Sequence, residues 1–385
     1  MAMTATEAKP SLPPPASTTG LVGWLRQNLF SSWPNALLTV VALWLVWQVA
    51  SGLFQWGIAD AIWSGDKAAD CKNPDETRKG GACWIYIQSW IGGFAYGLYP
   101  YDLRWRVDAA GLVVVALFAP IFFKQMPYRQ WYGIAVILVS PLIAFVFFNG
   151  VVDFRPGDPA GANHPWRTVE TAKWGGLSLT LLIAWVGIVG SLPLGVVLAL
   201  GRRSKMPIVR IICVGFIELW RGVPLITVLF MSSVMLPLFL PEGVNFDKLL
   251  RALIGVTLFS SAYIAEVVRG GLQAISKGQY EAAQALGLSY PKMMTFIILP
   301  QALKLVIPGI VNSFIGLFKD TTLVAIIGMF DLLGAIQLGN ADPKWLGFAV
   351  EGYAFAAMVY FVFCFGMSRY SIFLEHKLHT GHKRR

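Results

Sequence analysis
Charged side chains are scarce along this chain, and those that interrupt its apolar stretches mark where its chemistry must lie. Glu218 and Arg221 stand three residues apart, as do Glu266 and Arg269, a spacing that puts each pair on one helix face. Lys319 and Asp320 are adjacent, about 14 residues or ~21 Å into an apolar segment, with Asn312 two turns earlier. A charge near a bilayer centre costs ~2.5–3.5 kcal/mol even on a lenient insertion scale, so such groups normally face partners or a cavity. The stretch Glu281 to Pro300, EAAQALGLSYPKMMTFIILP, suggests mechanical chemistry instead. Ala282, Ala283 and Ala285 with Leu286 make a short helix of small side chains that can lie close in a partner's groove. Gly287 supplies a left-handed C-terminal residue, and Pro291 falls in the first turn of the next helix. Two short helices joined rigidly at a fixed angle can transmit a push.

Covalent chemistry finds little support. The sequence has no Gly-Lys dipeptide, so the phosphate-binding loop G-x-x-x-x-G-K-[ST] is absent, as are H-E-x-x-H and any Cys/His metal spacing. His164, His376, His379 and His382 fall in loops or a basic tail. Cys213 and Cys364 sit inside apolar runs and read as packing residues, and four cysteines are too few for a disulfide framework.

The elements that hold these residues follow from composition. Hydrophobic residues make up 56% of the 385 and charged residues 14%, against about 25% charged in an ordinary soluble domain. The reading is an all-α polytopic integral membrane protein. Spans are expected at Ala36–Trp56, Val107–Phe123, Trp131–Asn149, Trp174–Leu200, Leu249–Val268, Leu305–Gly328 and Tyr353–Ile372. Between them, Ile208 to Leu240 would measure ~50 Å as a helix, too long for one upright crossing and too short for two. Pro224 and Pro237 interrupt it, so one kinked crossing is expected, eight in all. The net charge of +10 concentrates in short segments such as 202–210 and the tail from His376, the pattern of the positive-inside rule rather than of nucleic-acid binding. Both termini, Lys124 and Arg129 then lie on the cytoplasmic side. Residues 83–101 carry no charge but six Trp and Tyr, which suits an interfacial helix better than a ninth span. The organisation read from this is a cytoplasmic tail at 1–35, a three-helix extension at 36–173 with an external loop at 58–106, a core at 174–377 and a basic tail at 378–385.

Seven positions of the 281–300 stretch, Glu281, Ala282, Ala283, Gly287, Ile297, Leu299 and Pro300, fall in register with E-A-A-x₃-G-x₉-I-x-L-P. The chain thereby resembles the membrane-spanning permease subunits of ATP-binding-cassette importers. Glu218-Leu-Trp-Arg221-Gly222-Val-Pro224-Leu225, Ala265-Glu266-Val-Val-Arg269-Gly270-Gly271 and Lys319-Asp320-Thr321-Thr322-Leu323 resemble signatures of the polar and histidine-type amino-acid permeases. The three additional spans resemble the larger general L-amino-acid permeases. The likeness covers Trp174 to Lys377. It implies a core of five helices, no cofactor on this chain, and ATP and Mg on a partner ATPase. It also implies a second permease subunit, a dimer of ATP-binding subunits, a periplasmic amino-acid-binding protein and the lipid bilayer as partners. Coupling to the ATPase would fall to the seven residues above, while the ionisable pairs would gate the pathway or meet an amino acid's ammonium and carboxylate. For Glu266 and Arg269 the gating or structural role is favoured; for Lys319 and Asp320 the two readings balance. Val223 stands where the family usually has Thr, and a family Gln near Val228 is missing. That makes a heterodimer, with the main substrate site on the other permease, a consistent arrangement. The reading from another class is an ion-gradient-driven secondary transporter, and an intramembrane enzyme or channel is disfavoured by the absent motifs.

Cys71 and Cys83 flank a polar, turn-rich stretch in the loop read as external. In an oxidising compartment two thiols at this separation are expected to pair, restricting the unfolded chain by up to ~3 kcal/mol. The topology carries a direct test. A phosphatase fused at Gly65 should be active and one fused at Lys205 inactive; the opposite result at either site breaks the assignment.

Overall fold
A computed structural model of the chain describes residues 20–73, 80–123, 128–152, 164–241 and 246–378. The proline-rich first 19 residues, Lys124, Glu242, and His379 and His382 of the basic tail lie outside them. The described chain is helical, and its two-residue strand Phe330–Asp331 builds no sheet. Among the described residues, seven helices are long and apolar enough to cross a membrane: Trp33–Ala59, Tyr101–Phe122, Trp131–Asn149, Gly176–Arg202, Lys248–Ala274, Ile307–Ile327 and Ala349–Leu378. By its contacts the chain divides into two compact units, one ending at Ile85 and the other beginning at Tyr86.

The first unit holds α1 (Gly20–Asn28), α2 (Trp33–Phe54) and the loop that follows. Ser32 caps α2, and Pro34 occupies its first turn, where the missing N–H costs nothing. The loop is ordered by tryptophan and by a covalent bond. Trp84 stacks on Trp63 at 5.7 Å and donates its indole N–H to Gly57 O at 2.9 Å, while a disulfide joins Cys71 to Cys83, Cα atoms 5.8 Å apart. Gly81 lies so close to the Asp60 backbone that a Cβ would overlap it.

The segment expected as an interfacial helix is α3 (Trp84–Tyr96), of which Tyr86 onward belongs to the second unit; it is about 20 Å long and so too short to span. From Tyr86 onward it packs on protein rather than lying free at an interface. Tyr86 and Phe94 are fully buried, the Tyr86 hydroxyl donates to Asn340 Oδ1 at 2.8 Å, and Phe94 packs on Phe355 at 5.6 Å. Aromatic rings with polar tips suit either environment, and here protein partners meet the same need. α4 (Arg104–Phe118) and α5 (Arg129–Asn149) are tied by one buried side chain. Arg106 donates to Phe147 O (2.7 Å), Phe148 O (3.1 Å) and Arg167 O (2.9 Å). Two of these carbonyls belong to the last turn of α5 and have no helical partner of their own.

α6 (Gly176–Arg202) and α9 (Lys248–Ala274) run parallel as the central pair. Small residues set their spacing: a Cβ on Gly190 would meet Thr257 at 2.7 Å, and one on Gly195 would meet Ile264 at 2.6 Å. Lipid offers no hydrophobic drive between helices, so van der Waals fit through such positions must hold them. Between them, the expected kinked crossing is a break. α7 (Pro207–Gly222) and the segment Leu225–Phe239, which begins with α8 (Leu225–Phe230), meet at 103°. Pro224 pushes Val223 into an extended conformation, which ends the helix rather than bending it. Each half is about 22–24 Å long, so neither crosses alone, and counting the pair as one broken span gives eight.

After α9 come α10 (Lys277–Ala285), α11 (Tyr290–Met293), α12 (Leu299–Leu305) and α13 (Ile307–Asp320). α14 (Leu332–Asn340) and α15 (Ala349–Leu378) complete the chain. Asp331 locks α14 to its neighbours: its carboxylate accepts from Leu333 N, Gly334 N and the Tyr360 hydroxyl, while Leu332 N donates to Thr180 Oγ1 on α6. Burial raises the Asp331 carboxyl above the usual range, an effect those hydrogen bonds partly offset. Replacing Arg106 with Ala would strand Phe147 O and Arg167 O, at about 1–3 kcal/mol for each buried acceptor left unpaired, while Phe148 O keeps its bond from the Tyr99 hydroxyl at 2.7 Å. The expected result is a clear drop in the melting temperature of the purified protein; an unchanged melt would show that the clamp contributes nothing.

Candidate functional site
The parallel run of α6 and α9 brings both helices to an end on the same side, and the ionisable residues gather there. Glu266 lies two turns before the end of α9, and its side chain is 15% exposed. One carboxylate oxygen accepts from Arg202 Nη1 at 2.7 Å. The other accepts from Arg269 Nε at 3.0 Å and Nη2 at 2.8 Å. Arg221 approaches that second oxygen at 3.8 Å and lays its guanidinium over the Tyr263 ring at 5.7 Å. Both oxygens are thus engaged, which offsets the loss of water around a half-buried charge.

The expected pairing of Glu266 with Arg269 is present, but Glu218 pairs with Arg202 at 2.9 Å rather than with Arg221. Arg202 therefore bridges two carboxylates on two helices, joining α6 to α7 and α9. In the sequence Arg202 reads as a marker of membrane sidedness, one of four cations between residues 202 and 210 with no acid among them. A stretch with no local counter-ion was the available signal that these arginines seek carboxylates elsewhere in the chain.

Arg203, beside it, reaches the 281–300 loop. Its Nη1 donates to Leu272 O at 2.8 Å and to the Tyr280 hydroxyl at 3.1 Å; its guanidinium lies 5.6 Å over the Tyr280 ring. Tyr280 in turn donates to Leu272 O at 3.1 Å. A cation and a phenol thus serve a carbonyl near the C-terminal end of α9, where the helix dipole favours positive charge. α10 is thereby bound to the ends of both α6 and α9. Gln301 adds a link from α12, donating to Gln279 Oε1 at 3.2 Å.

Within the loop, the turn after α10 is closed by two backbone bonds, Gly287 N to Gln284 O at 2.9 Å and Leu288 N to Ala283 O at 3.2 Å. This paired pattern requires a left-handed residue, and Gly287 has φ +70°. No atom lies within 4 Å of a Cβ placed there, so only the backbone disfavours substitution. Ala283 and Ile298 are buried against the ends of α6 and α9, and Ile297 and Leu299 are half-buried. Glu281, Ala282, Pro300 and Leu286 are exposed, the last at 77%. The loop has a backed side and an open side.

A cavity of about 450 Å³ lies farther along the bundle, with Asn312, Ser313, Gly316 and Asp320 of α13 facing Ser260 and Tyr263 of α9. Asn312 and Asp320 share this wall, eight residues or about two turns apart. Lys319 is exposed and does not line the cavity; no ion pair joins it to Asp320 among the described residues. Val228, near which the resemblance implies a Gln, is buried. No cluster of three or more metal-binding side chains occurs among the described residues.

Residues 191–379 match the family described as binding-protein-dependent transport system inner membrane component. The chain is 56% identical over 358 residues, covering 93% of each, to the inner membrane amino-acid ABC transporter permease protein YhdY of Escherichia coli (strain K12). It is 42% identical over 436 residues, covering 98% of each, to the glutamate/glutamine/aspartate/asparagine transport system permease protein BztC of Rhodobacter capsulatus. A crystal structure of an amino acid ABC transporter with histidines is 30% identical, covering 52% of this chain and 92% of that one, with a TM-score of 0.47. On the strength of the two sequence relatives, which match it nearly end to end, the chain belongs to the family of binding-protein-dependent transport system inner membrane components, as a multi-pass permease subunit of an ATP-binding-cassette transporter whose ATP hydrolysis lies on a partner subunit.

Proposed function
We propose that this subunit translocates L-amino acids inward, driven by an ATPase that docks on the open side of the 281–300 loop. The names of the two relatives support the substrate class. The observation that carries the coupling role is the fastening of α10 by Arg203 and Tyr280 to the helix ends that hold the Glu266 cluster. A displacement of α10 would load Arg203 on α6 and Leu272 on α9 together. Those are the two helices joined through Arg202 and Glu266. Glu281, Ala282, Ala283, Gly287, Ile297, Leu299 and Pro300 are then the coupling residues: Glu281 and Ala282 face the ATPase, and Ala283 seats the helix on the bundle.

In this reading the salt-bridge cluster of Glu218, Arg221, Glu266 and Arg269, with Arg202, is a gate. It is held by charge pairs that can exchange partners, and the pair at 3.8 Å is the one most easily remade. Asn312 and Asp320 border the pathway beyond it. Lys319, exposed and outside the lining of that cavity, is the weaker of the two pathway candidates. The complete transporter is read as a heterodimer of permeases with two ATP-binding subunits and a periplasmic amino-acid-binding protein, with ATP and Mg held by the ATPase. Both termini are cytoplasmic, and loop 58–106 faces outward.

Substitution at Gly287 tests the coupling role, because nothing there clashes and only the backbone conformation is penalised. A left-handed non-glycine residue costs roughly 1–2 kcal/mol, Asn being the exception. Asn should therefore transport almost like the native chain, Ala several-fold less, and the β-branched Val at least about ten-fold less. All three should insert normally. Native transport and native stimulation of the ATPase by the Val variant would exclude the coupling role.

A further inference from the structure
α12 and α13 face α15 across an open groove of about 580 Å³. Leu303, Ile307 and Phe314 form one wall and Met367, Leu374 and Leu378 the other. The helices run in opposite directions, so Lys304, which also lines the groove, lies toward its Leu374–Leu378 end. That is the end of α15 near the 281–300 loop in the chain's path, since α12 follows the loop directly. Lys304 is exposed, and its ammonium makes no hydrogen bond or ion pair in the described structure.

Two measures identify the occupant. From Met367 to Leu378 the groove follows twelve residues of α15, a rise of about 16 Å. This is half the ~30 Å hydrocarbon thickness, the depth of one leaflet. Its walls are apolar along that depth and end at a cation, and the last turn of α15 adds His376 and Lys377 beside one carboxylate, Glu375. An apolar channel one leaflet deep with a basic lip matches a phospholipid: acyl chain along Phe314 and Met367, phosphate at Lys304. Basic pockets between transmembrane helices bind anionic headgroups in this way. We propose that the groove between α12–α13 and α15 is a binding site for an anionic phospholipid of the leaflet on the coupling-loop side, with Lys304 as the headgroup contact. A bound lipid there would brace α12, the helix immediately after the loop, against α15.

The test uses the complete transporter in nanodiscs holding equal amounts of phosphatidylglycerol and phosphatidylethanolamine, with retained lipids counted by native mass spectrometry. The native complex should retain phosphatidylglycerol over phosphatidylethanolamine by about five-fold, the ratio expected for one cation at the headgroup. Lys304→Glu should bring that ratio to parity or below, and Lys304→Arg should keep it. Leu374→Trp, which fills the groove, should remove lipid of either headgroup. A native complex that retains no lipid, as when a helix of another subunit fills the groove, overturns the proposal. So does a preference unchanged by Lys304→Glu, or retention unchanged by Leu374→Trp. Loss of lipid in a variant counts only where its melting temperature equals that of the native complex.

Discussion
A carboxylate within a membrane-crossing helix must carry its counter-ions with it, because hydrocarbon supplies neither water nor mobile charge. Glu266 meets this requirement by drawing arginines from three helices: Arg202 from α6, Arg221 from α7 and Arg269 from its own helix. Much of the geometry at that end of the bundle follows from this requirement. α6 must end where Arg202 can reach, the last turns of α7 must come close by, and the side-by-side run of α6 and α9 must be tight enough to align them. Gly190 and Gly195 provide the tightness by letting Thr257 and Ile264 approach the α6 backbone.

Partly exposed ion pairs of this kind are individually weak. The Arg202–Glu218 pair, with Glu218 57% exposed, belongs in the range of about 0.2–1 kcal/mol found for exposed pairs. Such bonds hold a position without preventing its change, which suits the gate proposed for this cluster. The Arg106 clamp is the contrast. It is fully buried and gives its hydrogen bonds to backbone carbonyls. One end of the molecule is built for exchange and this hairpin for permanence.

The 281–300 loop joins these two kinds of bonding. Its turn is made rigid by paired backbone bonds around Gly287, while its attachment to the bundle runs through Arg203 and Tyr280, side chains that can rotate. A rigid lever on adjustable fastenings can move as a body. The exposed Leu286 beside Ala282 leaves an apolar contact for a partner on the outer side.

Hydropathy alone located the crossings, because a span in hydrocarbon must be continuously apolar over ~20 residues whatever it packs against. The Gly287 turn was equally legible, since its left-handed conformation is a local property of the glycine and its neighbours. The break at Pro224 was visible as an interruption but not as a 103° turn; proline removes a hydrogen bond locally, whereas packing chooses the direction the chain takes next. The aromatic residues of 83–101 marked an amphipathic helix, but ring chemistry cannot distinguish a lipid headgroup from Asn340 as the partner of Tyr86. Least legible was the charge cluster. Spacing along one helix pairs Glu218 with Arg221, yet the carboxylate turns to Arg202, 16 residues away, because a neighbouring helix places that guanidinium closer than its own does. Local sequence determines conformation and solvent preference, which depend on a few adjacent residues. Partner choice depends on distances between helices, and only the packed bundle sets those.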